Sequence, residues 1–213
     1  IFGEMSALAA ATGAINLGQG FPDEDGPQEV LDAARRAIAD GHNQYPPGIG
    51  VAQLRHAIAR HQDHWYGIRV DPDTQVLVTA GATEAIAAAI LALTEADDEG
   101  VVVEPYYDEY AAIAALAQAR FVTVPAHAPH FLPDPDDLAA AVTDRTRIIL
   151  INAPHNPTGA VLPREILERI VELAHRHDAM NDRLSRHLRE RRVQLKGSPS
   201  FLLGDGELCQ ACG

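Results

Sequence analysis

The sequence predicts an α/β fold, a mostly parallel sheet with helices on both faces. Strand-like and helix-like segments alternate from about residue 27 to residue 177. The strand-like runs "TQVLVTA", "GVVVEP", "RFVTVPA" and "TRIILIN" are apolar nearly throughout, as strands covered on both faces are. The segments between them carry apolar residues at helical spacing, and strands separated by helices imply a parallel sheet.

Taken in order, "PQEVLDAARRAIADG" opens on Pro27, where a helix tolerates proline, and closes at Gly41. Val30, Ala33, Ala34, Ala37 and Ile38 share one face of it. A Pro/Gly-rich loop, "HNQYPPGIG", carries Tyr45 to a second helix, "GVAQLRHAIARHQDHWYG", with Val51, Leu54, Ile58 and Trp65 at helical spacing. "TQVLVTA" reads as a buried strand from which the helix "GATEAIAAAILALTEA" opens directly. "GVVVEP", the helix "DEYAAIAALAQA" and "RFVTVPA" follow. "DPDDLAAAVT" is a short helix with Asp at its start, where the helix dipole favours an anion. "TRIILIN" is the fourth strand, and "LPREILERIVELAHRHD" a helix striped by Ile166, Ile170 and Leu173.

Beyond Met180 this alternation stops. Residues 1–180 carry 26 acidic side chains against 11 arginines, whereas residues 181–213 carry 4 acidic side chains against 5 arginines and Lys196, the one lysine of the chain. "NDRLSRHLRERRVQL" reads as a basic helix, with Arg183, Arg186, Arg189, Arg191 and Arg192 on it. The organisation expected is an N-terminal arm and first helix over 1–44, a sheet domain over 45–180 and a divergent basic tail over 181–213.

Composition narrows the function classes. With 46 % apolar and 22 % charged residues, the chain matches an ordinary globular protein. A net charge of −13 argues against nucleic acid as a partner, since phosphate backbones need lysine and arginine. No apolar run is long enough for a membrane span. The opening "IFGEMSALAAATGAINLGQG" lacks a basic, then apolar, leader pattern, and it starts at Ile1 rather than Met, so a preceding segment is expected. Two cysteines, Cys209 and Cys212, are too few for a structural zinc and suit a reducing, cytoplasmic setting. His61 and His64 lie three apart on one helix without a third ligand in view, which reads as a solvated helix face.

Three stretches could carry chemistry. In "TAGATEA" a strand ends, Gly81 permits a tight turn, Ala82 lets a ligand approach the backbone, and Thr83 adds a hydroxyl at a helix N-terminus, the place where backbone N–H groups attract phosphate. In "VVVEPYYDEY", Tyr106 and Tyr107 follow a strand end, and an aromatic ring there can stack on a flat ligand. In "NAPHNPTG", two prolines bracket His155 and Asn156 just past a strand end, fixing a side-chain amide as a hydrogen-bond donor. Each stretch alone also reads as an ordinary turn, a packing pair or a rigid loop. Together they suit a planar, phosphorylated cofactor.

Here the sequence resembles the class I/II aminotransferases of pyridoxal-phosphate fold type I, in the branch of kynurenine/glutamine and N-succinyldiaminopimelate aminotransferases. The matching stretches are "INLGQGFPDEDGP", "NQYPPGIGVAQLRHAIA", "VLVTAGATEAIAAAI", "VEPYYDEY" and "INAPHNPTGAVL", within residues 1 to about 179. The resemblance implies the first half of a fold type I large domain plus its N-terminal arm. It also implies pyridoxal 5'-phosphate as cofactor, a small-molecule amino acid and a 2-oxo acid, with 2-oxoglutarate as acceptor, as substrates, and a homodimer. By resemblance, Gly81, Ala82 and Thr83 hold the phosphate, and Tyr107 stacks on the pyridine ring. Asn156, with a cis bond to Pro157, reaches the phenolic oxygen. Tyr45 reaches the phosphate of a neighbouring subunit's cofactor, and Gly20 lies beside the substrate carboxylate.

The family's "D-E-x-Y" strand, its Ser-x-Ser-Lys segment with the Schiff-base lysine, and its carboxylate-binding arginine are not found in the 213 residues. Lys196, in "VQLKGSPS", has a different context. The 213 residues are therefore expected to be catalytically incomplete, through truncation, a frameshift, an internal deletion or genuine divergence of the tail. A β-lyase on the same fold and a non-catalytic remnant that pairs with a full-length subunit remain open.

Overall fold

The computed structural model describes residues 2–18, 20 and 24–177. The basic tail, with Lys196, Cys209 and Cys212, lies outside the described residues. The chain divides into two compact units, Ile1–Pro46 and Pro47–Gly213.

The first unit holds α1 (Phe2–Thr12) and α2 (Gln28–Ala39). Helix α1 has no counterpart among the sequence-based expectations. Its residues, "FGEMSALAAAT", favour helix through alanine but carry no apolar stripe to betray it. Helix α2 follows Pro27, and its carboxyl end closes when the Asp40 N–H donates to the Arg36 carbonyl, 2.8 Å away. Val30 and Ile38, on its apolar face, stand exposed.

The second unit contains α3 (Ala52–Tyr66), α4 (Gly81–Leu93), β1 (Glu99–Glu104), α5 (Glu109–Leu116), β2 (Arg120–His127), β3 (Leu132–Pro133), α6 (Pro135–Ala141), β4 (Thr146–Leu150) and α7 (Arg164–Arg176). The four strands form one sheet in the order β3-β2-β1-β4. Strand β1 runs parallel to β2 on one side and to β4 on the other, while the short β3 pairs antiparallel with β2.

One expectation needs correction. "TQVLVTA" is not a strand of this sheet. Val76 is buried and stands in an isolated β-bridge, and the Val78 N–H donates to the Ile49 carbonyl at 3.2 Å, so the run is bridged at one residue but adds no strand to the four-stranded sheet. An extended apolar run becomes a strand only when a ladder partner lies beside it. The apolar stripe of α3 is not its buried side, because Val51, Leu54 and Trp65 are exposed and Arg55 is buried. The Arg55 guanidinium donates to the Gly50 carbonyl at 3.2 Å, to the Pro72 carbonyl and to Asp73 Oδ1 at 2.9 Å, so its charge is paired and its hydrogen bonds are made. Gly50 lies in the left-handed region at φ +91°, and a side chain there would put its Cβ 2.5 Å from Val78 Cγ2, a clash no L-residue avoids.

Alternation along β1 and β4 builds the core on both sheet faces. Val101 faces one cluster, with Val124, Leu138, Ile166, Ile170 and Leu173 from β2, α6 and α7. The next residue, Val102, faces the other, with Ile86, Ile90, Ile113, Ile148 and Leu150 from α4, α5 and β4. At the amino end of β1, the Glu99 side chain is only 3 % exposed. It accepts from Thr143 Oγ1 at 2.7 Å and from the Arg145 guanidinium at 2.6 Å.

The Thr143 hydrogen bond, with help from Arg145 and against the cost of burial, holds the Glu99 carboxyl below its usual value of 4.5. The stabilisation this brings is complete above that value and drains away as pH falls through the folded-state pKa. Glu99→Gln is expected to cost about 1–3 kcal/mol at pH 7 in urea unfolding, with the gap from wild type narrowing as pH drops below 4.5. Gly50→Ala is expected to lower the thermal midpoint, because it adds steric overlap with Val78 to an unfavourable φ.

Candidate functional site

A parallel strand returns the chain through a helix, so the carboxyl ends of β1 and β4 lie on one edge of the sheet and receive the N-termini of the helices that precede and follow. Three segments meet this edge. The first is the start of α4. Gly81 has φ +87°, with nothing within 4 Å of where a Cβ would stand, and it swings the chain from the extended run into the helix. By helix geometry, the N–H groups of Ala82 and Thr83 lack intrahelical acceptors. Two carboxylates already crowd this end. Glu84 accepts from the Ala80 N–H, and Glu109 accepts from the Thr83 hydroxyl.

That second bond joins the starts of α4 and α5 and fixes Tyr107 nearby, two residues before Glu109. Tyr107 is 38 % exposed. Its ring meets the buried Tyr110 edge-on, with centroids 6.0 Å apart at 74°, while Tyr106 stacks on Tyr110 at 6.3 Å and 16°. Tyr110, Tyr106 and Ala82 share the core cluster under this edge, so the aromatic group is anchored from below and Tyr107 is its outward member. Burial, followed by the neighbouring Glu109 and Tyr107, raises the Tyr110 hydroxyl above its usual pKa of 10.0.

The third segment is the loop after β4. The Asn156–Pro157 bond is cis, as the resemblance implies. The loop is built around His155 rather than Asn156. His155 is 6 % exposed, with Nδ1 2.8 Å from Thr158 Oγ1. Its N–H donates to the Ala160 carbonyl at 2.7 Å, and its carbonyl accepts from the Gly159 N–H at 2.6 Å. The Val103 backbone of β1 also acts on the ring, opposing the effect of burial on its pKa. Asn156, by contrast, is exposed. The two polar residues that the prolines bracket thus divide the work, one as the loop's internal post and one presented outward.

Gly20 and Tyr45 belong to the first unit, and the Tyr45 side chain is fully exposed. His64 is exposed and meets Trp65 edge-on at 4.8 Å, while the half-buried His61 ring lies 5.9 Å from Tyr66. No trio of metal-ligating side chains occurs among the described residues, and no described helix is long and apolar enough to cross a membrane. Glu84 and Glu109 were not singled out in the sequence. Glu84 lies four residues from the N–H it caps and could have been found as a capping partner, whereas the 26-residue separation of Thr83 and Glu109 leaves no local signal.

The shape and donors at this edge suit the phosphorylated pyridine that the resemblance implies. There is open space above Gly81, a helix N-terminus for an anion, an outward ring for stacking and an outward amide. The two carboxylates are the one discordant feature.

Known proteins match along the same residues. The family model for aminotransferase class I and II covers residues 12–181. A probable N-succinyldiaminopimelate aminotransferase of Mycobacterium tuberculosis is 56 % identical over 176 residues, which is 82 % of this chain and 44 % of the relative. A methionine aminotransferase of Escherichia coli is 45 % identical over 161 residues, 76 % of this chain and 42 % of the relative. The solved M. tuberculosis N-succinyldiaminopimelate aminotransferase superposes with a TM-score of 0.80 at 55 % identity, over 83 % of this chain and 47 % of that structure. The chain thus spans about half the length of the relatives it matches.

Burial holds the His155 ring below its usual pKa of 6.5, against the opposing Val103 hydrogen bond. Its folded pKa is the lower one, so stability is retained above 6.5 and lost as pH falls through that range toward the folded value. Amide-exchange protection at Gly159 is expected to drop between pH 7 and pH 5 once intrinsic rates are corrected. Thr158→Val, which strips the His155 partner, is expected to cost about 1–3 kcal/mol in chemical unfolding.

Proposed function

The chain belongs to the class I and II aminotransferases, and from that premise we propose that it carries the cofactor-cradling part of an enzyme moving an amino group between an L-amino acid and a 2-oxo acid, with 2-oxoglutarate as acceptor. The family is pyridoxal-phosphate-dependent. The observation that carries the reading is the convergence, on one sheet edge, of a helix N-terminus behind a left-handed glycine, an anchored outward tyrosine and a proline-locked asparagine.

In this reading the N–H groups of Ala82 and Thr83, with the Thr83 hydroxyl, bind the phosphate, and Gly81 leaves them room. Tyr107 offers a ring face to the pyridine, and Tyr110 keeps Tyr107 in place. Asn156 donates to the phenolic oxygen from a loop that His155 holds together. Tyr45 reaches the phosphate site of a neighbouring subunit in a homodimer, and Gly20 lies beside the substrate carboxylate. The organisation is an arm over 1–44, a cofactor domain over 45–180 and the tail 181–213, in a cytoplasmic protein. When bound, the cofactor supplies an electron sink for the bond broken at the substrate's α-carbon. The 56 % identity to the M. tuberculosis relative favours an acylated diamino acid as donor over methionine, whose aminotransferase is 45 % identical.

Residues 1–195 contain no lysine, so none of their side chains can form the amine linkage to the cofactor's aldehyde that the family uses. Lys196 does not stand in a Ser-x-Ser-Lys context. The 213 residues are thus proposed to bind cofactor without turning over substrate.

Pyridoxal phosphate followed by borohydride is expected to leave no site-specific pyridoxyl label on Lys196 by peptide mass mapping, and assays with amino donors and 2-oxoglutarate to show no turnover. A stoichiometric label at Lys196 together with turnover contradicts this. Tyr107→Ala is expected to weaken pyridoxamine 5'-phosphate binding about threefold to tenfold in calorimetry, the size of a lost aromatic contact. Undiminished affinity would remove Tyr107 from the site.

A further inference from the structure

The Thr83 hydroxyl carries a single proton and donates it to Glu109. A phosphate dianion has only acceptors to offer. Thr83 therefore cannot donate to Glu109 and to a phosphate at once, and with both acceptors anionic the two also repel. Glu84 is a different case. It caps the Ala80 N–H just ahead of its own helix and leaves the Thr83 hydroxyl alone. Glu109 comes from α5, across the site, and is half-buried between Thr83 and the tyrosine group. Its charge also reaches Tyr110.

We propose that Glu109 competes with the cofactor phosphate for the Thr83 hydroxyl and so lowers this chain's affinity for phosphorylated pyridines. The inference rests on the phosphate site read above. With no phosphate, the carboxylate satisfies Thr83 and latches the starts of α4 and α5 together. When phosphate arrives, Glu109 must turn away, and that displacement opposes binding. Residue 109 thereby sets how readily the site gives up its cofactor, without touching the pyridine ring.

The test uses the full 213-residue chain and two probes, pyridoxamine 5'-phosphate and pyridoxamine. Neither carries an aldehyde, so lysine chemistry does not enter. Isothermal calorimetry compares wild type with Glu109→Gln, which keeps the size of the side chain and removes its charge. The variant is expected to bind pyridoxamine 5'-phosphate about fivefold more tightly at low salt, the scale of a unit charge contact in water. It is expected to bind pyridoxamine unchanged, and the gain is expected to shrink as salt rises. If wild type prefers the phosphorylated probe but Glu109→Gln binds it no better, or worse, Glu109 is a clip that positions Thr83 and the competition is refuted while the phosphate site stands. If wild type shows no preference for the phosphorylated probe, the site reading fails and this inference fails with it.

Discussion

A parallel sheet cannot turn back on itself with a hairpin. Each parallel strand must return through a helix, and the carboxyl ends of the parallel strands are delivered to the same edge, with the short antiparallel β3 apart from them. In this chain β1 enforces that constraint. It is bonded on both sides, by β2 and β4, and its consecutive valines, Val101 and Val102, fill the cores on opposite faces. Once β1 is fixed, the start of α4, the tyrosines after β1 and the loop after β4 have only one edge to occupy. The candidate site is a consequence of that placement, refined by two ties. The Thr83–Glu109 hydrogen bond joins the starts of two helices, and His155 binds the last loop together through Thr158, Gly159 and Ala160.

These ties separate what supports the site from what faces outward. His155 is buried and spends its hydrogen bonds inside its loop, whereas Asn156, its neighbour, is exposed. Tyr110 is buried and carries Tyr107, whose ring is partly open. In each pair a packed residue fixes the geometry of an outward one, as a site needs if a ligand is to meet groups already in position. At the amino end of β1 the buried Glu99, held by the half-buried Thr143 and the exposed Arg145, has a different purpose, since it secures the strand from the opposite edge.

The sheet was legible in the sequence wherever apolar runs met a partner. "GVVVEP", "RFVTVPA" and "TRIILIN" became β1, β2 and β4, and the helices between them open and close near the residues that punctuate them. "TQVLVTA" is as apolar but reached only a single bridge residue, Val76, because composition does not reveal how far a neighbour runs alongside. The spacing of Val51, Leu54, Ile58 and Trp65 marked helix α3 but not which side of it is buried, and α1, apolar without a stripe, went unseen. The three site segments were legible from glycine, proline and aromatic residues at strand ends. The Glu109 contact was not, since it joins residues far apart in the chain.

The central claim is that this sheet edge receives a phosphorylated pyridine, with the phosphate at the start of α4. Crystals soaked in pyridoxamine 5'-phosphate test it most directly. The expected result is phosphate density within hydrogen-bonding distance of the Ala82 and Thr83 N–H groups, with the ring against Tyr107. Ordered cofactor bound elsewhere, or an α4 N-terminus still closed by Glu84 and Glu109 under saturating cofactor, would contradict it.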